Sequence, residues 1–403
     1  MEYIHTLKGH TNSVSSLVCL GNNTLASASW DHTIKIWNIA TGECMQTLSG
    51  HIHYVCSLVY LGNNTLASGS GDNTIKIWDI TTGVCIQTLV GHTDIIDYLV
   101  YLGNNRLASG SGGPNDETIK IWNTNTGECI HTLEGYIRSV YSIVYIDDNR
   151  IASQSYDETI TIWNTTTGEC IQNLDGHFMP VYSLVYISNN LIASGSHDKT
   201  IKIWNIITGE CIHTLEGHTS YVNSLAYLCD NTLVSGSKDE TIKIWNITTG
   251  ICIQTLNGHT SSIMTLAYLD DNTLASGSRD NTIKIWNIAT GECIHTLEGH
   301  TDYVHSLVYI DDNRLVSGSS DKTIKIWDMS TKAVPVAEDV AVSSEGGGAA
   351  AATPVATTVA TAVATAVATA VTAVTAVPCC SDPSKPDANG DSRSSSSSSD
   401  DEC

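Results

Sequence analysis

The sequence predicts an all-β protein assembled from eight copies of one four-stranded unit. Three observations carry this. Trp37, Trp78, Trp122, Trp163, Trp204, Trp245, Trp286 and Trp327 recur at intervals of 41 residues, widened to 44 between Trp78 and Trp122. Each interval holds four short β-rich runs separated by turn residues, as in "GHTSYVNSLAYLCDNTLVSGSKDETIKIWNITTGICIQTL" at 217–256. No stretch of residues 1–332 carries helical periodicity. Self-similarity at such a period means that each copy buries its faces against its neighbours.

The elements of one unit follow in order. "YVNSLAYL" is the first strand, ended by the turn residues Cys229, Asp230 and Asn231. "TLVSGS" is the second and "TIKIWNI" the third. After the turn at Thr248, Thr249 and Gly250, "CIQTL" is the fourth.

Gly-His (Gly-Tyr at 135–136), then a run such as "LASGS", then Asp, then a run such as "TIKIW" followed by Asn or Asp, recurs eight times in phase over residues 3–330. This pattern resembles the WD-repeat β-propeller family. The resemblance implies an eight-bladed β-propeller of four-stranded blades around a central channel. Residues 1–332 form that propeller and 333–403 a tail. The last unit stops at "TIKIWDMSTKAV" without a fourth strand, while "EYIHTLKGH" at 2–10 matches "ECIHTLEGH" at 292–300. Ile4–Leu7 are therefore expected to supply the outer strand of blade 8, closing the ring and covering an open edge.

His, Ser, Asp and Trp recur together as His10, Ser27, Asp31 and Trp37 in blade 1, and as His218, Ser235, Asp239 and Trp245 in blade 6. The set invites comparison with a hydrolase triad. The resemblance instead implies a structural tetrad tying each blade together, and eight identical active sites in one ring would be odd. A buried carboxylate needs donors, and an imidazole, a hydroxyl and an indole N–H form a chain that supplies them. Blade 4 departs from the pattern, with Tyr136 in place of His beside Asp157. The residue after Trp is Asp only at Asp79 and Asp328 and Asn elsewhere, a change expected to matter little.

Composition excludes several classes. With 19 basic and 42 acidic residues the formal net charge is −23, which argues against a phosphate-backbone partner. Seven of the 13 cysteines (Cys44, Cys85, Cys129, Cys170, Cys211, Cys252 and Cys293) are repeat equivalents, not bridging partners. With no signal-peptide core in "MEYIHTLKGH", a reducing compartment follows, cytoplasmic or nuclear. No Cys or His pair stands at zinc-ligand spacing, and "SGSGGPND" lacks the Lys and helix of a phosphate loop, so no metal or cofactor is expected.

The tail opens with Ala/Val/Thr-rich residues 349–377 and ends in "SRSSSSSSDDEC". The first part is too rich in Thr for a membrane span and reads as disordered linker. Ser397, Ser398 and Ser399 stand three residues ahead of acidic residues, the pattern of acidophilic kinase acceptors, or of a plain solubilising end.

Function is expected where the copies differ. On the face bearing the Gly-His loops, three rows vary. One follows the shared Val or Ile of the first strand and includes Asp97, Tyr141, Tyr182, Asn223, Met264 and His305. Another, two residues earlier, includes Tyr54, Tyr221 and Tyr303. The third precedes the tetrad Asp and includes Trp30, Tyr156, Lys238 and Arg279. Aromatic and Arg side chains suit protein recognition. Departures gather in blades 3–5: an insertion before Asp116, Tyr136 with Arg138, and Phe178. A docking patch centred on Arg138, Tyr141, Tyr156, Phe178 and Tyr182 is therefore expected. The reading is a non-enzymatic interaction scaffold for proteins or peptides, with no nucleic acid or membrane partner, monomeric by itself and acting in a larger complex. One alternative is a ubiquitin-ligase substrate receptor reading phosphopeptides, for which the basic rim is thin and the residues before the first repeat too few for an F-box-like helical segment. The other is an enzyme at the channel mouth, for which only Asp97 and scattered histidines offer.

Overall fold

The computed structural model describes residues 3–135, 140–155, 158–270, 272–311 and 313–330. Tyr136, Arg138, Tyr156, Asp157 and the tail 333–403 lie outside the described residues, as does the side chain of Tyr141. Every regular element among the described residues is a strand, and the strands form eight four-stranded antiparallel sheets. Blade 1 is Val14–Gly21, Thr24–Ser29, Thr33–Asn38 and Glu43–Ser49 in spatial order. The next six blades repeat it.

The first hairpin of blade 1 turns on Asn22 and Asn23, whose φ of 49° and 59° suits a two-residue turn between twisted strands. The second strand is buried along almost its whole length because neighbouring blades cover both faces of its sheet. In six blades it carries a glycine where the next blade comes close. A Cβ on Gly69 would meet Ile96 Cγ2 at 2.8 Å, and one on Gly195 would meet Val222 Cγ1 at 2.6 Å. Blade 1 has the small Ala28 there. Blade 4 instead buries Gln154 completely.

The core is a ring of seams. Ile34 and Ile36 of blade 1 pack with Val55, Leu58 and Trp78 of blade 2, and this pairing of adjacent blades recurs around the molecule. A fully buried Ile or Leu contributes about 1.5–3 kcal/mol, so stability resides between blades. Closure follows the same rule. Tyr3–Lys8 pairs with Thr323–Asp328 as the outer strand of blade 8. Leu7 and Ile326 of that blade join Val14, Leu17 and Trp37 of blade 1 in one cluster.

Candidate functional site

In blade 1, Trp37 Nε1–H donates to Ser27 Oγ at 2.8 Å, and Ser27 Oγ lies 2.8 Å from His10 Nε2. His10 Nδ1 is 2.8 Å from Asp31 Oδ2. Asp31 also accepts from the Thr11 N–H at 2.9 Å and from Thr33 Oγ1 at 2.6 Å. Blade 6 repeats the chain: Trp245 to Ser235 at 2.8 Å, Ser235 to His218 at 2.7 Å and His218 to Asp239 at 2.8 Å. Burial works to raise the pKa of Asp31 and Asp239. The His, Thr and backbone donors outweigh it, and both carboxyls lie well below the ordinary carboxylate range. Ser27 and Ser235 are fully buried, with the indole N–H on their oxygens, so a substrate has no path to either hydroxyl. These groups join the Gly-His loop, the second strand, the turn and the third strand into one unit.

After the tetrad Trp, one oxygen does the work whether the residue is Asn or Asp. Asn38 Oδ1 accepts from the Ala40 and Thr41 N–H groups, and Asp79 Oδ1 accepts from those of Thr81 and Thr82.

Blade 4 keeps the inner half of the network, with Trp163 Nε1–H donating to Ser153 Oγ at 2.8 Å. On the opposite face it is tied to both neighbours. Arg106 of blade 3 donates to Thr165 Oγ1 at 3.2 Å and to the Asp148 carbonyl. Arg150 pairs with Asp147 at 2.7 Å and donates to Asn190 Oδ1 of blade 5 at 3.0 Å. Nearby Tyr145 donates to Asp148 Oδ1, and burial together with that bond pushes its pKa up to about 12.

On the Gly-His face the variable rows meet across blade boundaries. Trp30 of blade 1 lies 5.8 Å from Tyr54 of blade 2, centroid to centroid. His197 of blade 5 packs on Tyr221 of blade 6 and sits edge-on to Tyr182 at 5.2 Å. Arg279 of blade 7 lies 5.4 Å over the ring of Tyr303 in blade 8. Within blade 6, Lys238 Nζ is 4.8 Å above Tyr221. A residue before one tetrad Asp thus rests on the aromatic of the following blade, and Trp30, Tyr54, Tyr182, Tyr221, Arg279 and Tyr303 are all half-buried.

The row after the shared Val or Ile lies deeper. Cys56, Asp97 and Met264 are buried. Ser15 Oγ donates to the Val55 carbonyl at 2.6 Å and Asn223 Nδ2 to the Ile263 carbonyl at 2.9 Å, each reaching the next blade. His305 is half-buried, and desolvation together with the nearby Arg279 pulls its pKa down to about 4. This row serves the ring as much as its mouth.

Among the described residues of the Gly-His loops, two apolar side chains stand furthest out. Phe178 is 78% exposed and Ile52 is 81% exposed, at the same repeat position directly after the tetrad His. Their N–H groups bond Asp198 and Asp72, which turns both side chains outward. The sequence rows omit Ile52, although its replacement of the Thr found in five other blades marks it. Its neighbours His53, Tyr54, Trp30 and His32 form a continuous run of ring contacts. In blade 3 the insertion is held down by Asp94, which accepts from the N–H and side-chain amide of Asn115 at 3.0 and 2.8 Å. It borders a cleft of about 610 Å³ lined by Pro114, Glu117, Lys120 and Glu134.

Comparison with known proteins agrees with this geometry. The chain matches the family described as WD40, "WD domain, G-beta repeat", at residues 1–38, 42–79, 83–123, 127–164, 168–205, 209–246, 250–287 and 291–328. Among solved structures it is similar to the computationally designed Ika8 protein, with a TM-score of 0.75 and 36% identity over 81% of this chain and 100% of that one. Curated relatives match over about one repeat only. WD repeat-containing protein pop1 of Schizosaccharomyces pombe is 49% identical over 43 residues, 11% of this chain and 5% of the relative. A WDR12 homolog of Drosophila mojavensis, a ribosome biogenesis protein, is 50% identical over 34 residues, 8% of each chain. A probable E3 ubiquitin ligase complex SCF subunit scon-2 of Neurospora crassa is 54% identical over 43 residues, 11% of this chain and 6% of the relative. With its eight repeats running in phase from one end of the ring to the other, the chain belongs to the WD40 repeat family.

Proposed function

We propose that this chain is a non-enzymatic scaffold that docks a partner protein or peptide on the rim of the face bearing the Gly-His loops. The observation that carries this is the pairing of a bolted ring with outward apolar side chains: Phe178 and Met179, 78% and 40% exposed, in the same blade as the half-buried rings of Tyr182 and His197, the latter packed on Tyr221 of blade 6. Aromatic groups held by neighbours lose little freedom on binding, which favours them as anchors. The docking patch of this reading lies on blades 3–5, with Arg138, Tyr141 and Tyr156 as further contacts. Affinity capture with the double variant Phe178→Ala/Tyr182→Ala, against Tyr54→Ala/Tyr303→Ala, tests it. Partner recovery is expected to fail only for the first pair; loss for the second pair alone moves the patch to the other side of the ring.

A second reading, a phosphopeptide receptor within a ubiquitin-ligase complex, draws support from Lys238 and Arg279. These occupy equivalent positions in adjacent blades, each above a tyrosine. The repeat shared with an SCF subunit is consistent with it. Capture that needs phosphate on the partner and fails with Lys238→Ala/Arg279→Ala selects this reading over the first.

A further inference from the structure

The Gly-His face is electrically two-sided. Its surface loops are those that run from each Gly-His to the first strand and from the second strand to the third. In blades 1 to 3 these loops carry Asp94 and Glu117 outside the tetrads, and no Lys or Arg. In blades 5 to 8 they carry Lys199, Lys238, Arg279 and Lys322, against Glu240 and Asp302. Each of these four consecutive blades thus sets one cation directly before or after its tetrad Asp.

Those tetrad carboxylates are already engaged by their own histidines at 2.6–2.8 Å. Among the described residues none of the four cations forms an ion pair. Rings hold two of them in place instead. Lys238 Nζ lies 4.8 Å above Tyr221, and Arg279 lies 5.4 Å above Tyr303 with its Nε 3.3 Å from Met264 Sδ. A guanidinium held this way keeps its terminal N–H groups for an acceptor from outside. In a chain of net charge −23, such a sector draws acidic groups while the rest of the surface repels them.

The chain carries an acidic segment of its own, "SSSSSSDDEC", with Asp400, Asp401 and Glu402 in succession. We infer that residues 394–402 dock on the Gly-His face of blades 5–8, their carboxylates against Lys199, Lys238, Arg279 and Lys322. Reach is ample. Thr323–Asp328 leaves the ring on the opposite face, and six residues of strand span about 20 Å. The roughly 60 residues from Ser330 to Ser394 extend to about 200 Å. Exposed charge pairs are individually weak and screened by salt. Tethering offsets this, because a linked segment meets its site at an effective concentration on the order of millimolar. A Kd of about 1 mM then half-fills the site. The tail is a built-in competitor that an acidic partner must displace, while Trp30 and Tyr54 of blades 1 and 2 stay open. The inference goes beyond both readings above and needs neither, since it involves no partner.

Lysine acetylation by a limiting reagent, read residue by residue on the full chain at low ionic strength, tests it. Asp400→Asn/Asp401→Asn/Glu402→Gln is expected to raise labelling of Lys199, Lys238 and Lys322 by about twofold or more, as release from a half-filled site requires. Lys76 and Lys120 of blades 2 and 3 are expected to stay unchanged. In about 1 M salt the intact chain and the variant label alike. Carbodiimide coupling in an equal mixture of unlabelled and isotope-labelled chains then joins Asp400, Asp401 or Glu402 to these three lysines within single chains. Equal labelling of the intact chain and the variant at low salt overturns the inference, as does release that extends to Lys76 and Lys120. Links between labelled and unlabelled chains overturn it too, assigning the contact to two copies. No partner is present in either measurement, so its failure is distinct from theirs.

Discussion

Thr161 lies opposite Asn173 in the sheet of blade 4, where every other blade sets a Lys against a Thr. Elsewhere the Lys Nζ donates to the Thr Oγ1 across the strands, at 2.9 Å for Lys35 and Thr47 and 2.8 Å for Lys284 and Thr296. Both partners changed together in the blade that also exchanges its tetrad His for Tyr136 and buries Gln154. Independent decay does not favour such matched change. Blade 4 reads as a re-made blade, held to its neighbours by Arg106 and Arg150 on the opposite face.

A double-mutant cycle tests that pairing. Thr161→Lys alone brings an ammonium beside Asn173 with no Thr hydroxyl to meet it. With Asn173→Thr added, the two changes are expected to couple favourably by about 0.5–1 kcal/mol in urea unfolding. Strict additivity refutes the idea that the pair changed as a unit.

Removing residues 1–8 is expected to lower the melting temperature by several degrees. The deletion strips Leu7 from the seam between blades 8 and 1 and takes Thr6 from Lys325. Truncating one buried Leu already costs about 2–5 kcal/mol. Calorimetry decides: a truncated chain that melts with the intact one means the ring does not depend on this strand.

Asp198→Ala removes the acceptor for His177 Nδ1, Thr200 Oγ1 and two backbone N–H groups. Destabilisation of about 1–3 kcal/mol is expected. Unchanged stability contradicts a bracing role for the tetrad.

Stability should fall in acid in two stages. His305 has a folded pKa of about 4 against about 6.5 unfolded, so its contribution is complete above about pH 6.5 and is lost as pH falls toward 4. The tetrad carboxyls lie below their unfolded value of about 3.9; theirs is complete above about pH 5 and is lost as protonation proceeds below it. Unfolding free energy measured from pH 8 to pH 3 should therefore bend gently first and steeply later. His305→Gln should flatten the first bend alone; an unaltered bend assigns it to another group.

The sequence by itself determined the number of blades, the strand order and the closing partner of Thr323–Asp328. These follow from a repeat read in phase, because each unit's turn residues and apolar alternation recur with their neighbours' contacts built in. It also exposed the odd members: Tyr136, the insertion before Asp116, and Phe178. Only the tertiary structure decided what each odd residue touches. Trp30 and Tyr54 stand 24 positions apart in the chain, yet they share one contact because adjacent blades meet at the rim. Ile52 and Phe178 project outward while Asp97 and Met264 turn in, a division set by backbone direction at the loop and strand that composition does not record.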